Sequence, residues 1–247
     1  MVNIAHQYKI RVEKATQESG SLFGNYWEGL NLDLKNAKVR LLSREDASKI
    51  ILEYEWLGTM SPKTRRHYGI FFAGVCGGVV CFGVNCTSNH NASREFGLVE
   101  QELYTLARGA CVHWTPPGSA SKLIASALKL LKEDDPNVRV VIAYSDTDAG
   151  EIGTVYQATN WYYIGNGCRQ TVNYYNEQLG RTFDERVLHK LKLKWNCTRP
   201  EVRARLAKEG WVKKPKAIKH KYIFILATKK ERKQILSHVT VQPYPKR

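Results

Sequence analysis

The strongest constraint on the fold is a helix enclosed between two apolar strands in the middle of the chain. The strand-like run Glu100–Trp114 ends at the breaker Thr115-Pro-Pro-Gly-Ser. A helix is predicted from about Ala120, because apolar residues recur along one side of it at helical spacing. Val138–Tyr144 is then a continuous apolar run, which is typical of a strand buried on both faces. A strand, a helix and a second strand in this order predict a crossover, and therefore a mixed α/β sheet.

The flanking segments continue this alternation. They are, in order, the strand Val39–Leu42, a helix capped by Ser43, an apolar hairpin at 68–73 and 78–84, a short helix around 150–160 and the aromatic strand Trp161–Ile164. Residues 1–36 predict little beyond a short alternating strand at Tyr8–Val12 and a loop at Ser19–Gly29. We assign no function to this N-terminal arm.

Positive charge is concentrated toward the C-terminus. Residues 181–247 hold 20 Lys or Arg and 5 Asp or Glu, whereas residues 1–180 hold 18 of each. A net charge of +15 in one segment exceeds what solubility requires, and nucleic acid explains it better than an anionic membrane does. We therefore divide the chain into an arm (1–36), a core (37–166) and a basic extension (167–247) that binds nucleic acid and completes the sheet.

Membrane insertion and secretion are not expected. Apolar runs fall short of the roughly 20 residues that span a bilayer, and the N-terminus lacks a secretory signal pattern. We therefore expect a cytoplasmic protein with no membrane partner. The six cysteines include no CxxC pair, which favours buried apolar roles. A zinc site of Cys81, Cys86 and His90 is the alternative.

One segment carries a specific signature. It is Ala143-Tyr-Ser-Asp-Thr-Asp-Ala-Gly-Glu-Ile-Gly-Thr-Val-Tyr-Gln-Ala-Thr-Asn-Trp161, and it resembles the Tyr-Ala-Asp…Gly-x-x-Gly-x-x-Tyr-x-Ala-x-Asn-(Phe/Trp) segment of the Mom family of phage DNA modification proteins. The strand Leu106-Ala-Arg-Gly and the closing Lys219-His-Lys-Tyr-Ile-Phe and Pro-Tyr-Pro-Lys segments are also similar. The similarity covers about residues 38–247 and is strongest in 100–165.

The order of the elements is also similar to that of GNAT acyltransferases. The resemblance therefore implies a GNAT-like α/β fold, with a mixed, mostly antiparallel sheet flanked by helices. It implies an enzyme of the bacterial host cytoplasm that adds a small acyl-derived group, of carbamoylmethyl or acetamido type, to N6 of adenine in double-stranded DNA. Such a modification protects bacteriophage DNA from restriction. A homodimer is left open.

Two residues match the family's catalytic positions, namely Asp146 and Tyr156. Asp146 follows the buried strand, and strand ends in such sheets open into the ligand crevice, so its carboxylate suits accepting the amine proton. The Tyr156 phenol suits protonation of a leaving thiolate. The alternatives are a cap residue for Asp146, a role for which Asp148 is better placed, and a core position for Tyr156.

Where the family carries a His-Tyr pair, this sequence has Glu55-Trp56. Glu55 suits a second base or orienting group, and Trp56 suits stacking on an adenine that leaves the duplex. A solvated helix end is the alternative for Glu55. Glu55 and Asp146 together would offer oxygen ligands to a divalent metal, and the resemblance suggests that this metal is iron.

The donor is expected at the N-terminus of the helix that follows the breaker, where free N–H groups attract anions. The resemblance implies that Arg108 and Ser121 bind it, with Gly118 and Ser119 in the adjoining loop. Two prolines in that loop remove N–H donors that GNAT enzymes use. The expected donor is acetyl-CoA or, because these N–H groups are missing, another acyl donor. A structural ion pair is the alternative for Arg108.

Basic side chains of the extension are expected to neutralise DNA phosphates without reading base sequence. They are Arg203, Arg205, Lys208, Lys213, Lys214, Lys219 and Lys221.

Two other functions fit the same features. One is a GNAT N-acetyltransferase that acts on protein or RNA and leaves DNA unchanged. The other is a non-catalytic DNA-binding antirestriction module that retains a GNAT core.

Overall fold

A computed structural model describes residues 5–19, 27–84, 87–167, 172–185, 187–215 and 219–246. The helices are α1 His6–Ser19, α2 Arg44–Tyr54, α3 Thr87–Phe96, α4 Ser119–Asp134, α5 Thr154–Gln157, α6 Val187–Trp195, α7 Arg199–Lys208 and α8 Lys229–Ser237. The strands are β1 Lys38–Leu41, β2 Thr64–Phe72, β3 Val75–Gly83, β4 Leu103–Cys111, β5 Val140–Ser145, β6 Tyr162–Gly167, β7 Val172–Asn176, β8 Arg181–Asp184, β9 Trp211–Pro215 and β10 Lys219–Ile225.

The main sheet contains seven strands in the order β1-β2-β3-β4-β5-β10-β6. Its neighbours pair antiparallel except for β4 and β5, which pair in parallel and are joined by α4. This is the mixed, mostly antiparallel α/β sheet with one helical crossover that the sequence predicts. The fold class is confirmed.

The parallel pair opens toward its C-terminal end. Its ladder joins Leu103–Thr105 to Val140–Ile142. Beyond this ladder β4 continues beside β3, and β5 continues beside β10. A fork of this kind, at the carboxyl ends of parallel strands, is where open α/β sheets place ligands.

Strand β5 is buried on both faces, as its apolar run predicts. Val141 and Ala143 belong to one apolar cluster, and Val140 and Ile142 belong to another. Successive side chains of a strand point to opposite faces, so the two clusters lie on the two sides of the sheet. The first cluster receives the apolar side of α4, and the second receives α3 and α8.

Local sequence explains how several helices begin. The Ser43 side chain accepts a hydrogen bond from the Asp46 N–H at the start of α2, as predicted. Thr198 with Glu201, and Thr228 with Glu231, form capping boxes at the starts of α7 and α8.

The N-terminal arm contains a helix, and the predicted strand at Tyr8–Val12 is wrong. Residues Tyr8–Val12 lie within α1. In this segment the side chains that recur at helical spacing and contact the core are polar. Gln7 donates to the Tyr54 carbonyl, Arg11 donates to the Thr115 carbonyl, and Lys14 pairs with Glu53. A search for apolar periodicity does not detect such a helix.

The chain divides into two compact units. Residues 168–218 form the second unit, whereas residues 219–247 belong with 1–167. The expected extension of 167–247 therefore falls into two parts: β10 pairs with β5 and β6 and so completes the main sheet, the role expected for the extension, whereas residues 168–218 form a separate unit.

The second unit contains a three-stranded antiparallel sheet in the order β8-β7-β9, with α6 and α7. Tyr174, Leu188, Val202 and Leu206 form its buried core. None of the helices in the described ranges is both long enough and apolar enough to span a membrane.

Candidate active site

Asp146 lies directly after β5 and is almost completely buried, with 3% of its surface exposed. It caps the short turn Thr147–Ala149, because Oδ1 accepts a hydrogen bond of 3.2 Å from the Asp148 N–H. Its Oδ2 lies 2.7 Å from Nζ of Lys219. Capping is the role considered as the alternative for Asp146, with Asp148 as the better candidate, and in the structure Asp146 is the residue that caps this turn. The Asp146 carboxyl group therefore contacts an ammonium group through one oxygen and a backbone N–H through the other.

The bend after this turn depends on two glycines. Gly150 and Gly153 have φ of 72° and 73°, which side-chain-bearing residues rarely adopt. A Cβ at Gly153 would lie 2.5 Å from a ring carbon of Tyr222. The Tyr222 hydroxyl donates a hydrogen bond of 2.6 Å to the Ile152 carbonyl, which fixes the bend against β10.

Glu151 lies within this bend and is a site residue that the sequence interpretation missed. Its N–H donates to the Asp146 carbonyl at 3.0 Å. Burial, together with the negative charges of Glu55 and Asp146, raises the pKa of Glu151 to about 7, although the nearby ammonium of Lys219 opposes the shift. A carboxyl group with a pKa near neutrality can exchange a proton under physiological conditions. Its place between the two glycines of the signature segment was the available signal.

Tyr156 lies on α5 with its ring among other aromatic rings. The ring centroids of Trp161 and Tyr222 are 5.1 and 5.2 Å away. Burial raises the pKa of the Tyr156 phenol, and the nearby charges of Glu151 and Glu55 raise it further. The hydroxyl therefore keeps its proton, and the charges of Glu151 and Glu55 act on it.

Glu55 ends helix α2 and is 8% exposed, which differs from the solvated position considered as its alternative. Its Oε2 accepts a hydrogen bond of 2.9 Å from the Leu57 N–H and lies 3.9 Å from Nε of Arg108. Arg108 Nε also donates to the Thr59 carbonyl at 2.7 Å. Arg108 therefore has the contacts of a structural ion pair, which is the alternative to donor binding, and these contacts stabilise the turn after α2.

The fold brings together residues that are distant in the sequence. The charges of Glu55, Asp146 and Lys219 all act on Glu151, and those of Glu55 and Glu151 act on Tyr156. Three carboxyl groups, a phenol and an ammonium therefore occupy one region beside the fork of the sheet. Such a group can hold an amine and transfer its proton.

Trp56 follows Glu55 and is half-buried. Its ring centroid lies 5.8 Å from that of His6, in an edge-to-face arrangement. Two aromatic residues at the end of the signature segment and just after it belong to the core, because Trp161 is fully buried and Tyr163 is 7% exposed.

The residues expected to hold the donor fall into two environments. Ser119 is 2% exposed, and its hydroxyl donates to the Pro116 carbonyl at 2.6 Å. Gly118 is exposed, with φ of 89°. Ser121 borders a groove of about 510 Å³ between α4 and the chain after α5. The groove has an apolar floor and a polar rim, and is lined by Ser121, Lys122, Ala125, Leu128, Lys129, Ala158, Thr159, Asn160, Phe224 and Leu226.

Five of the basic residues expected to bind DNA lie in the second unit. Arg203 pairs with Glu185 at 2.8 Å, and Arg205 pairs with Glu209 at 3.1 Å. The other three are exposed, namely Lys208, Lys213 and Lys214.

Lys219 and Lys221 lie in the first unit and have different partners from those expected. Lys219 binds Asp146, and Lys221, which is 7% exposed, binds Glu95 at 2.5 Å. Both ammonium groups neutralise carboxylates of the protein itself, so the expectation that they contact DNA phosphates is corrected. The apolar pattern of β10 places them inside the sheet.

Metal ligation finds no support in the part of the chain that the structure describes. No group of three His, Cys, Asp or Glu side chains there has the arrangement of a metal site. Cys81 is a free thiol whose pKa burial raises to about 12. Cys86 and the side chain of His90 lie outside the described residues.

Similar structures come from bacterial acetyltransferases. An N-acetyltransferase from Staphylococcus aureus Mu50 is 14% identical, with 78% of this chain and 99% of that chain covered at a TM-score of 0.41. The IAA acetyltransferase from Bacillus cereus ATCC 14579 is 10% identical, with 77% and 99% covered at 0.44. The ribosomal-protein-S18-alanine N-acetyltransferase from Escherichia coli is 9% identical, with 78% and 95% covered at 0.40. Likeness at this level says nothing about substrate.

Sequence comparison is more specific. Curated protein sequences contain no match to the chain. A model of the Mom protein family matches residues 36–246, which include the whole second unit, most of the first unit, and Glu55, Asp146, Glu151, Tyr156 and Lys219. The chain therefore belongs to the Mom protein family.

Proposed function

We propose that this protein modifies adenine in double-stranded DNA by adding a small acyl-derived group, of carbamoylmethyl or acetamido type, to N6. One observation carries the proposal. In a chain of the Mom protein family, Glu55, Asp146, Glu151 and Tyr156 share one region beside the fork of the sheet. DNA modified in this way would resist restriction nucleases.

The reaction requires one new bond and two proton movements. The N6 nitrogen forms a bond to a carbon of the donor, and the bond from that carbon to its leaving group breaks. N6 loses one proton, and the leaving group gains one. Adenine N6 is a weak nucleophile because its lone pair is delocalised, so a proton acceptor beside it lowers the barrier.

Glu151 is the better proton acceptor of the two carboxyl groups on the bend. Its pKa of about 7 suits proton exchange at neutral pH, whereas Asp146 is bound by Lys219 and by a backbone N–H. Asp146 instead holds the bend and Lys219 in position. The phenol of Tyr156 lies close enough to Glu151 for their charges to interact, and we propose that it donates the proton that the leaving group gains.

The groove beside Ser121 fits an elongated donor with an anionic end. Its floor of Leu128 and Phe224 suits an apolar arm, and the Lys129 ammonium suits a phosphate. Acetyl-CoA or another acyl thioester has this composition. When bound, it would supply its carbonyl carbon to N6 and release a thiolate, which gives the acetamido-type product. The carbamoylmethyl product would instead need a donor whose electrophilic carbon is a methylene next to an amide and carries the leaving group. Ser119 is excluded from this role, since its hydroxyl is bound inside the protein.

The second unit is the proposed contact with DNA. Residues 168–218 hold 13 Lys or Arg and 5 Asp or Glu, a net charge of +8. Lys208, Lys213 and Lys214 expose their side chains on it. Exposed lysines neutralise phosphates and give affinity that does not depend on base sequence.

The test is to express the protein with a plasmid, digest the plasmid to nucleosides and search for a new adenine derivative by mass spectrometry. Wild-type protein is expected to produce one, and the Glu151→Gln and Tyr156→Phe variants are expected not to. Unmodified plasmid together with an acetylated protein or RNA would identify the alternative N-acetyltransferase. Unmodified plasmid with intact DNA binding and no other acetylated product would identify the non-catalytic module.

A further inference from the structure

We infer that helix α1 forms one wall of the active site and that His6 is a positioning residue, which holds the indole of Trp56 where an extruded adenine is received. The inference rests on the proposed function and extends it to a segment outside the family match of 36–246. It concerns a helix to which the sequence assigned no role.

Helix α1 is bound to the core along its length. Gln7 Nε2 donates to the Tyr54 carbonyl at 2.6 Å, and Arg11 donates to the carbonyls of His113 and Thr115 at 3.1 and 2.9 Å. Farther along, Lys14 pairs with Glu53 at 2.9 Å. Gln7, Arg11 and Lys14 are separated by four and then three residues, so they lie on one side of α1, and that side packs against the core.

Two of these contacts meet the last residues of α2. Glu53 and Tyr54 immediately precede Glu55 and Trp56, so α1 fixes the chain segment that enters the site. Tyr54 is 5% exposed, and its hydroxyl lies 3.3 Å from Nδ1 of His113. The end of α2 is therefore held from both sides.

His6 is the residue of α1 that reaches the site. Its ring meets the ring of Trp56 in an edge-to-face contact with centroids 5.8 Å apart. The charge of Asp146 also acts on the imidazole. Burial lowers the pKa of His6, and Lys9 lowers it further, so the ring is neutral at pH 7 and packs as an aromatic group.

The physical role follows from this contact. Stacking of a base on an aromatic ring stabilises the bound base in the ground state and the transition state alike. Loss of the His6 ring should therefore release the Trp56 indole and weaken binding of the target DNA, while proton transfer at Glu151 is unaffected.

The experiment measures DNA modification kinetics for three variants of the full chain. His6→Ala is expected to raise KM for DNA by about tenfold with kcat within a factor of two, because uniform binding is lost. His6→Phe keeps an aromatic edge against Trp56 and should restore KM to near the wild-type value. Tyr8→Ala, on the same helix but 60% exposed, is the matched control and should match wild type.

Two results would overturn the inference: an unchanged KM in His6→Ala, or a His6→Phe variant as impaired as His6→Ala. A second measurement does not depend on catalysis. Hydrogen exchange at the amides of Glu55 and Gly58 is expected to accelerate in Gln7→Ala, and unchanged exchange would also refute the role of α1. Failure of the wild-type protein to modify DNA would instead refute the proposed function.

Discussion

Nζ of Lys219 lies 2.7 Å from Oδ2 of Asp146, and this contact joins the first residue of β10 to the end of β5. The pair explains why a strand near the C-terminus belongs to the active site. It also pairs a nearly fully buried carboxyl group with an ammonium in a region that contains two other acidic side chains, Glu55 and Glu151. The ion pair is therefore a structural requirement of the site.

Replacement of Lys219 by Met should leave Asp146 buried without its cation. We expect a loss of about 3 kcal/mol in the free energy of unfolding, because one partner of a buried ion pair has been removed. Urea unfolding followed by circular dichroism measures it. Lys35→Met changes an exposed lysine and should cost less than about 0.5 kcal/mol. Equal losses in the two variants would show that the Lys219–Asp146 pair does not stabilise the fold.

Glu151 should make stability and activity depend on pH in opposite directions. Its pKa is about 7 in the folded protein and 4.5 without these surroundings, so the folded state binds more protons between these values. Stability contributed by the protonated group is complete below about pH 4.5 and is lost as the pH rises through 7. Activity that needs the ionised carboxylate should rise over the upper part of the same range. Besides Glu55, Asp146 and Lys219, the Tyr156 phenol faces this group.

The variant Glu151→Gln separates these effects. At pH 8 it is expected to be more stable than wild type by about 1–2 kcal/mol, a value reduced for screening by solvent. At pH 4.5 the two proteins should have similar stability, and the variant should lack DNA modification at both values. Denaturant unfolding at the two pH values provides the measurement. A variant that is less stable at pH 8 would contradict the environment assigned to Glu151.

The sequence predicts the framework of the sheet well because that framework rests on apolar pattern. The run Val138–Tyr144 specifies a strand buried on both faces, and the helix before it specifies the crossover. The site around Asp146 was reached through the signature segment. By contrast, the only signal for Glu151 is its place between the two glycines of that segment, because its environment comes from burial in the folded chain and from the charge of Glu55, which lies almost 100 residues away.

The basic residues show what charge composition alone does not predict. Lys219 and Lys221 have the same charge in the sequence as Lys213 and Lys214, but pairing of β10 with β5 directs the first two to internal carboxylates. Charge composition indicates a polyanion partner without indicating which lysines remain exposed. Helix α1 is not predicted from the sequence because its contacts with the core are polar, and an apolar pattern therefore does not mark it.

Removal of the Tyr156 hydroxyl should abolish proton donation with little change in packing. Tyr156→Phe keeps the ring contacts with Trp161 and Tyr222. We expect the rate of DNA modification to fall by about 100-fold or more, which is typical for the loss of a general acid. Tyr162→Phe, on the adjoining strand β6, is the matched control and should retain activity. Single-turnover kinetics and the melting temperature would be measured together, and full activity in Tyr156→Phe would exclude this residue as the proton donor.

DNA binding should depend steeply on salt, because lysine contacts release counterions from the duplex. Fluorescence anisotropy with a labelled duplex gives the slope of log Kd against log salt. Each phosphate contact adds about 0.9 to that slope, so Lys213→Ala combined with Lys214→Ala should reduce it by about 2. Exposed Lys35 in the first unit provides a charge-matched control that should leave the slope unchanged. Binding by wild type that is flat between low and moderate salt, or an unchanged slope in the double variant, would remove the second unit from the proposed DNA contact. Because Glu151 and Tyr156 lie in the first unit, variants at those positions should keep the wild-type slope, which separates loss of chemistry from loss of binding.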